Sequence, residues 1–524
     1  MKKVLSLILV FALALTMGLM ATAETEDRIT ITVMGVDWGY GPSSDSAMER
    51  YWEDLFDVNM EIEWVNYNDY NEKVNAMIIA GTQPDVIQVN KNDGAYYYPV
   101  FTKAIDNGQF LDLTPYLYGE DGIIANNAVF KGWSQSMWDQ ATYKGGIYIL
   151  PRSKAEIAQQ SGITVRRDLM KKYGFEDEPT TMEELKDWLI ALSNAATEGE
   201  GEKIYALDFY GDLINNARTT AFAVAFTGQM DWGFDEDGNY EYICFDKNYI
   251  NFLNWMKDLY DAGVLDAEFA LSNSDTSKWK GGRSVAYLTA WYNWNQSADL
   301  VTNRIFDKVC PDTYEAWCLM PVEGDNGIVI AANSSDIDSC IAISARVAED
   351  EAKLNKIFQV FCATEEEYPG YNKIMADGVE GIHYAVLEDG TLDKKGPDNV
   401  YGQARTEGYV GAWNQIFLKV DADQITSKFM RSGAQRASDE NIQRARDIRA
   451  VLAGYLDETG LGFSNQNKFS ETYNTSWANI VSDTNANITK YIMGEISADE
   501  WTAFVESVVN GADYQAIIAE YAAN

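Results

Sequence analysis

The sequence is poor in histidine and in cations. His383 is its only histidine, which leaves no His-based metal site and one candidate for a Ser-His-Asp triad. Neither a G-x-S-x-G motif nor a G-x-x-x-x-G-K phosphate loop occurs. Lys and Arg number 41 against 80 Asp and Glu, for a formal net charge of −39. Because nucleic acids and anionic membranes bind through clustered cations, this balance argues against both as partners.

Cysteine is also scarce. The five cysteines include no C-x-x-C pair, and their odd number and spacing match no small disulfide framework. They are Cys244, Cys310, Cys318, Cys340 and Cys362. We expect most of them to be small buried apolar residues.

The N-terminus has the pattern of a secretory signal. Lys2 and Lys3 precede an apolar run, and Ala21-Thr22-Ala23 supplies the small-x-small ending, which predicts cleavage before Glu24. An uncleaved membrane anchor is the alternative. No cysteine stands at the junction for lipid attachment, and no other segment is apolar enough to span a membrane. We therefore expect an extracytoplasmic protein that is secreted, periplasmic or associated with the cell surface.

Strand and helix patterns alternate after the signal. "RITITVMGV" predicts a strand and "SAMERYWEDLFDV" a helix. "YNDYNEKVNAMIIAGTQPDVIQVN" predicts a helix, a turn at Gly81 and a buried strand over Val86–Val89. A further helix is predicted for "EPTTMEELKDWLIALSNAA", where either Thr180 with Glu183 or Thr181 with Glu184 makes a capping box. Others are predicted for "NFLNWMKDLYDAG" and for the segment that Ser497 and Glu500 cap. This order indicates an α/β fold with a parallel, helix-covered sheet.

Seven segments together resemble a known family. They are "NEKVNAMIIAGTQPDVIQV", "FLDLTPYL", "YKGGIYILPRS", "TVRRDLMKKYGFEDEPTTMEELKDWLIAL", "MKDLYDAGVLDAEF", "GGRSVAYLTAW" and "MPVEGDNG". Their order is similar to that of extracellular solute-binding proteins of bacterial ABC importers. The branch they resemble most contains maltose-binding protein and alginate-oligosaccharide binders. The resemblance runs from about residue 28 to the C-terminus.

The resemblance implies the type II periplasmic-binding-protein fold, in which a hinge joins two α/β lobes around a ligand cleft. After the signal of residues 1–23, it assigns 24–150 plus 333–395 to the N-lobe and 151–332 plus 396–524 to the C-lobe. "ILPRS" and "MPVEGDNG" would lie near the crossings between lobes. Such proteins close around their ligand by hinge motion.

Clusters that mix aromatic rings with Asn or Asp mark the candidate ligand site. Flat rings cover the apolar faces of a sugar, while amide, carboxylate and guanidinium groups bind its hydroxyls. By the resemblance, the loops that carry Trp38 and Trp291 face the cleft. Val285 to Leu288 are predicted to be buried strand, with Trp291 to Asn295 emerging at the cleft edge. The predicted ligand-binding residues are Trp38, Tyr40, Tyr67, Asn90, Asp93, Arg152, Trp291, Trp294, Asn295 and Trp413.

Other polar residues have competing interpretations. Arg152 suits either a ligand contact near the hinge or a salt bridge between lobes, and the pattern around His383 favours a structural histidine. Two acidic stretches are candidate calcium loops, "TEGEGEKIYAL" and "DEDGNYEY". The first lacks alternating oxygen ligands, and the second has the Asp-Gly signal of a hairpin turn. We predict no metal and no cofactor.

The sequence thus predicts a non-enzymatic, monomeric binding protein. It would capture an oligosaccharide, neutral rather than uronate-containing, and deliver it to the transmembrane permease of an ABC transporter. A peptide- or lipopeptide-binding protein for import or sensing is the alternative. A glycan-degrading enzyme also stays open, because glycoside hydrolysis needs only two carboxylates.

Overall fold

The structure is a computed structural model of the 524-residue chain. It describes residues 28–37, 45–90, 96–119, 122–131, 133, 135–153, 161–208, 217–235, 238–271, 277–291, 294, 314–330, 337–388, 392–393, 416–417, 437–461 and 470–523. The predicted signal over residues 1–23 lies outside these ranges.

The strands form two main sheets and three small two-stranded ones. In chain order they are β1 (Ile29–Asp37), β2 (Val58–Asn66), β3 (Val86–Val89), β4 (Thr142–Tyr143), β5 (Gly146–Ile147), β6 (Leu150–Ser153), β7 (Ser161–Arg166), β8 (Tyr205–Asp208), β9 (Trp232–Phe234), β10 (Tyr240–Tyr242), β11 (Ser284–Ala290), β12 (Ala316–Cys318), β13 (Ile337–Ile343), β14 (Ala385–Val386) and β15 (Leu392–Asp393).

Helices cover the sheets and make up most of the C-terminal part of the chain. They are α1 (Ala47–Phe56), α2 (Tyr67–Ala80), α3 (Pro99–Asp106), α4 (Thr114–Leu117), α5 (Ile123–Asn126), α6 (Ala128–Lys131), α7 (Gln135–Gln140), α8 (Arg167–Tyr173), α9 (Met182–Glu200), α10 (Ala217–Thr227), α11 (Tyr249–Asp261), α12 (Ser277–Lys280), α13 (Glu351–Phe361), α14 (Tyr371–Asp377), α15 (Asp439–Thr459), α16 (Glu471–Ile492), α17 (Ala498–Val509) and α18 (Ala512–Ala523). Short 3₁₀ turns lie at Ile243–Phe245, Phe269–Leu271 and Ala345–Glu349.

The first sheet has the order β2-β1-β3-β13-β6. β1 is parallel to β2 and β3, and β13 is antiparallel to β3 and β6. The predicted strands at β1 and β3 are confirmed, as is the helix of α2, which ends at Gly81 with a φ of +68°. β2 was not predicted, although its residues alternate between buried and exposed along most of its length.

The second sheet has the order β12-β7-β11-β8, in which β11 runs parallel to β8 and antiparallel to β7. The chain passes from the first sheet to the second between β6 and β7, and returns between β12 and β13. "ILPRS" therefore ends in the last strand before a crossing. "MPVEGDNG" precedes the return, but its Val322 packs in the second core.

Two separate hydrophobic cores accompany the two sheets. The first draws on residues between Ile31 and Leu150 and again between Ile337 and Met375, and the second on residues between Ile163 and Ile330 and from Ala437 onward. Ile416 and Phe417 join the first core. The Phe417 ring stacks on Trp52 of α1. The expected lobe boundaries, including 396–524 in the C-lobe, stay a prediction.

The predicted helix caps are confirmed. Thr181 and Glu184 form a reciprocal capping box at the start of α9, and Ser497 and Glu500 form another at α17. Four cysteines are free and buried, as expected, whereas Cys310 lies outside the described residues. Among the helices that the structure describes, none combines the length and apolarity that a membrane crossing needs.

Candidate functional site

The first sheet has a topological switch point between β1 and β3. β1 connects through α1 to β2 on one side, and β2 then connects through α2 to β3 on the other side. Two neighbouring helices therefore leave the sheet in opposite directions, which opens a crevice at the carboxyl ends of the strands. In open α/β sheets this crevice is where ligands bind.

The strands separate at this point. The ladder between β1 and β3 covers only Val33–Val86 and Met34–Ile87. Beyond it the side chain of Gln88 takes over, since its Oε1 accepts a hydrogen bond from Val36 N–H at 3.0 Å. Its Nε2 donates to Ser339 Oγ of β13 at 3.2 Å. A side chain thus holds the sheet together where the two backbones part.

A row of polar residues crosses this edge of the sheet. The register pairs Asp37 at the end of β1 with Asn66 at the end of β2, and Ser339 with Arg152 of β6. Asn90 directly follows β3, next to the pair of Val89 with Cys340. Asn90 and Arg152, two predicted ligand residues from distant parts of the chain, therefore end at the same edge. Contact of either residue with a ligand remains a prediction.

Arg152 is a buried cation at this edge, with 5% of its surface exposed. Two buried tyrosines lie within range of its charge, Tyr96 and Tyr371. Burial raises the pKa of both hydroxyl groups, and the positive charge of Arg152 opposes that rise. Tyr96 Oη also donates a hydrogen bond to Ile337 O at 3.2 Å, which ties the chain after β3 to β13.

Tyr67 adds an aromatic ring at the same edge. It is the first residue of α2, directly after β2, and 51% of its surface is exposed. Asn66 caps this helix, because its Oδ1 accepts a hydrogen bond from Asn68 N–H at 3.0 Å. An accessible ring on a fixed helix start has the geometry expected of a surface that stacks on a sugar.

Trp291 and Trp294 depart from the expectation that this segment emerges from the core. β11 ends at Ala290, and both tryptophan side chains are fully buried in the second core. A Cβ on Gly162 would lie 2.8 Å from Trp291 Cα, so the backbone at Trp291 packs directly against β7. Trp294 packs edge-on against Trp317, with ring centroids 5.1 Å apart. The rings turn inward because β7 and β12 offer apolar surface there.

Trp317 is itself held by charged groups. Its Nε1 donates to Glu178 Oε1 at 2.8 Å, and Glu178 also pairs with Arg444. The guanidinium carbons of Arg167 and Arg444 lie 4.0 and 4.9 Å from the centre of its ring. This cation–π arrangement fixes the surface on which Trp294 rests.

Glu49 and Trp52 are two polar residues that were not predicted. Both lie on α1, one turn apart, and both are buried. Within the described part of the chain, neither Glu49 Oε2 nor Trp52 Nε1 has a hydrogen-bond partner. Burial raises the pKa of the Glu49 carboxyl group to about 7.

The sequence around Glu49 explains why it was missed. Ser46 and Glu49 have the S-x-x-E spacing of a capping box, which suggests a solvent-facing helix cap. Ser46 Oγ does accept a hydrogen bond from Glu49 N–H at 3.2 Å. Only the packing around α1 shows that the carboxyl group itself is buried.

The other candidate groups have structural roles where they are described. His383 is buried, its Nδ1 accepts a hydrogen bond from Val379 N–H at 3.0 Å, and its ring packs on Gly378. Asp235 belongs to the hairpin of β9 and β10, where its side chain accepts two hydrogen bonds from Asn239. Among the described residues, no three His, Cys, Asp or Glu side chains are grouped to hold a metal ion.

Five predicted ligand residues lie outside the described residues, so their positions stay predictions. They are Trp38, Tyr40, Asp93, Asn295 and Trp413. Trp38 and Tyr40 directly follow β1, and Asp93 lies in the segment after β3. β1 and β3, which these residues follow in the sequence, flank the switch point.

Comparisons with known proteins agree with this architecture. The chain is 22% identical over 383 residues to the polygalacturonan/rhamnogalacturonan-binding protein YtcQ of Bacillus subtilis strain 168, which covers 71% of this chain and 70% of the relative. An extracellular solute-binding protein from Bifidobacterium longum subsp. infantis superimposes with a TM-score of 0.65 at 16% identity, over 94% of this chain and 98% of that one.

The ABC-transporter substrate-binding protein FusA of S. pneumoniae, solved in complex with kestose, superimposes with a TM-score of 0.63 at 16% identity, over 94% of this chain and 98% of that one. Both structures share the expected type II periplasmic-binding-protein fold. Residues 39–348, more than half of the chain, match the family described as bacterial extracellular solute-binding protein. The chain is therefore a member of the bacterial extracellular solute-binding protein family.

Proposed function

We propose that this protein captures a neutral oligosaccharide outside the cytoplasm and delivers it to the permease of an ABC transporter. Membership in the extracellular solute-binding family supports the transport role and the extracytoplasmic location. The observation that carries the proposal is the switch point of the first sheet, where polar residues from four strands meet at one edge. The relative that binds polygalacturonan and rhamnogalacturonan supports a saccharide as the ligand.

The charge of the protein favours a neutral sugar over a uronate. The formal net charge is −39, and Asp37 at the end of β1 adds an acidic residue to the candidate edge. An anionic ligand would have to overcome this field, in which Arg152 is the cation of the polar row. A neutral ligand is not repelled by this field.

The proposed ligand residues divide into ring surfaces and polar contacts. Tyr67 and the rings of Trp38, Tyr40 and Trp413 would cover sugar faces, while Asn90, Asp93, Asn295 and Arg152 would bind hydroxyl groups. Trp291 and Trp294 are buried in the second core, and they stay predicted ligand contacts. We propose that the protein acts as a non-enzymatic monomer and that residues 1–23 are removed on export.

Calorimetry against a panel of ligands tests this proposal. The panel contains kestose, maltotriose, xylotriose, trigalacturonate and an extended pentapeptide. Micromolar or tighter binding of a neutral sugar is the expected result. Tight binding of trigalacturonate alone would replace the neutral ligand by a uronate, and tight binding of the peptide alone would favour the peptide-binding alternative.

Three further measurements test the remaining claims. New reducing ends after incubation with the bound sugar would overturn the non-enzymatic role. Mass spectrometry of the mature N-terminus would show whether the chain starts at Glu24, and light scattering would show whether it is monomeric.

A further inference from the structure

Glu49 and Trp52 lie on one face of α1, and each buries a polar atom that has no hydrogen-bond partner among the residues that the structure describes. Residues three apart in a helix lie side by side on its surface. Glu53, on the same helix, does have a hydrogen-bond partner, since its Oε1 accepts from Met60 N–H at 2.8 Å. Buried polar groups in proteins are mostly hydrogen-bonded, so a carboxyl oxygen and an indole N–H that lie one turn apart without a partner among the described residues can take one from a ligand.

The surroundings of Trp52 connect this pair to the candidate edge. Its ring lies 5.5 Å from the ring of Tyr371 and 5.2 Å from that of Phe417. Tyr371 in turn lies within range of the Arg152 charge, and Arg152 ends the polar row of the first sheet. α1 also begins directly after the segment that follows β1 at the switch point.

The two unpartnered atoms define the chemistry of their partner. The indole Nε1–H of Trp52 is a donor only, while the carboxyl oxygen of Glu49 is an acceptor when ionised. A hydroxyl group both accepts and donates, so it satisfies both atoms. An ammonium group would leave the indole without an acceptor.

We infer that Glu49 and Trp52 form a subsite of the ligand cleft that binds a hydroxyl group of the saccharide. The inference rests on the proposed function, and it adds a position that the sequence did not indicate. A water molecule offers the same hydrogen bonds, and the experiment must separate the two sources of the hydroxyl. The raised pKa of Glu49 agrees with a carboxyl group that has no charged partner.

Two substitutions change the polar groups with little change in shape. Glu49→Gln replaces the carboxyl group by an amide, and Trp52→Phe keeps an aromatic ring but removes the N–H. Glu72→Gln, on the exposed face of α2, is the matched control. The readout is the calorimetric Kd for the neutral sugar of the panel that the wild type binds most tightly.

We expect Trp52→Phe to raise the Kd by about 10-fold or more, because the bound hydroxyl oxygen loses its donor. Glu49→Gln should raise it by about threefold or more, because a neutral amide is a weaker acceptor than a carboxylate. The double variant should lose less than the product of the two single effects, since both residues bind one hydroxyl. Glu72→Gln should bind like the wild type. Unchanged Kd values for both single variants would show that the pair holds water only and would overturn the inference.

A second readout keeps the inference testable if no sugar of the panel binds. The indole N–H resonance of Trp52 is assigned as the one missing from the spectrum of Trp52→Phe. It is then followed in the wild type as glycerol, a small polyol, is added. A saturable shift that Glu49→Gln abolishes would support a hydroxyl-binding subsite even though the proposed function had failed, and an unmoved resonance would overturn the subsite as well.

Discussion

Trp232 in the second core and Trp52 beside the first sheet are both fully buried, but their surroundings differ. Trp232 lies at the centre of a cluster of stacked and edge-on rings. These rings belong to Tyr240, Tyr242, Tyr473, Trp477, Tyr514 and Tyr521. Trp52 also packs on rings, but one turn away on its helix is a buried carboxyl group.

The difference separates two uses of aromatic residues that look alike in the sequence. Rings that contact only other rings contribute mainly to stability, through buried apolar area. A ring beside a buried carboxyl group, or one left exposed at the edge of a sheet, offers contacts that a ligand can use. Substitutions in the second core should therefore change stability without changing affinity, and substitutions at the edge should do the opposite.

The largest expected effect on stability is that of Trp232→Ala. Removing the central ring should lower the free energy of unfolding by about 3–5 kcal/mol, because the surrounding rings cannot close the cavity. Urea unfolding measures this loss. Phe234→Ala, at an exposed position of the same hairpin, is the control and should cost less than about 1 kcal/mol. A large loss of sugar affinity in folded Trp232→Ala would break the comparison.

Asp85→Asn should have the next largest effect, because Asp85 is a paired buried carboxylate of the first core. It accepts hydrogen bonds from Thr32 N–H at 3.0 Å and from Arg346, and it pairs with Lys353 at 2.7 Å. We expect a loss of about 2–4 kcal/mol in the free energy of unfolding. Asp54→Asn, at an exposed ion pair with Arg28, should cost less than about 1 kcal/mol.

The pH dependence provides a check on Asp85. Burial raises the pKa of Asp85, but hydrogen bonds from Lys353 and Thr32 outweigh burial, and the net pKa is lowered. A lowered pKa in the folded state gives stability that is present above the unfolded value and is lost as the pH falls through the folded pKa. The stability difference between wild type and Asp85→Asn should therefore shrink in acid. A difference that stayed constant down to pH 3 would contradict this account.

Glu49→Gln should have a smaller effect on stability, of opposite sign to that of Asp85→Asn. Burial is the main reason why the pKa of Glu49 is raised to about 7, and the negative charges of Glu53 and Asp45 add to the rise. The hydrogen bond from the Asp45 backbone N–H and the charge of Arg50 oppose it. The folded state then holds a proton that the unfolded state loses near its ordinary pKa. Wild-type stability should therefore fall as the pH rises from about 4.5 to 7.

The amide of Glu49→Gln does not titrate, so this variant should be more stable than the wild type by about 1–3 kcal/mol at pH 8. At pH 4 the two proteins should be nearly equal in stability. Thermal unfolding at both pH values measures the difference. Equal stability at pH 8 would mean that the carboxyl group is ionised at no cost and has a partner after all.

The smallest effect is expected for Tyr67→Ala, and it should appear in affinity alone. Loss of the exposed ring should weaken sugar binding by about 1 kcal/mol, or roughly fivefold in Kd, while stability changes by less than about 0.5 kcal/mol. Tyr118→Ala is the matched control, because Tyr118 is similarly exposed but follows the short helix α4, not a strand of the first sheet. Equal affinities of both variants would remove Tyr67 from the ligand site.

Local patterns predicted a large part of the fold. Gly81 marked the end of α2, and the apolar run of Val86–Val89 coincides with β3. The capping boxes at Thr181 and Ser497 also formed as their spacing predicts. These features depend on residues within a few positions of each other, which is why the sequence displays them. β2 escaped prediction even though the same kind of local pattern marks it.

The candidate site was only partly predictable. Asn90, Arg152 and Tyr67 were named from their residue types and neighbours, and the register of the first sheet brings their positions to one edge. We expected Trp291 and Trp294 to emerge from the core, but both are buried in it. No local sequence pattern indicates that β7 and β12 provide apolar surface for them. Their contact with a ligand stays a prediction.

The sequence by itself determined the class of protein. Composition, the predicted signal, the order of strands and helices, and the seven ordered segments led to an α/β solute-binding protein. Helix and strand periods and caps are local properties of a chain, so they can be read directly from it. The same holds for the scarcity of histidine and of cations.

Only the tertiary structure decided which polar groups matter. Glu49 has the spacing of a helix cap, yet packing around α1 buries its carboxyl group beside Trp52. Whether a side chain is exposed, paired or buried without a partner depends on residues far away in the sequence, such as Tyr371 and Phe417. The free-energy cost of an unpaired polar atom arises only once water is excluded, and that exclusion is a property of the folded protein.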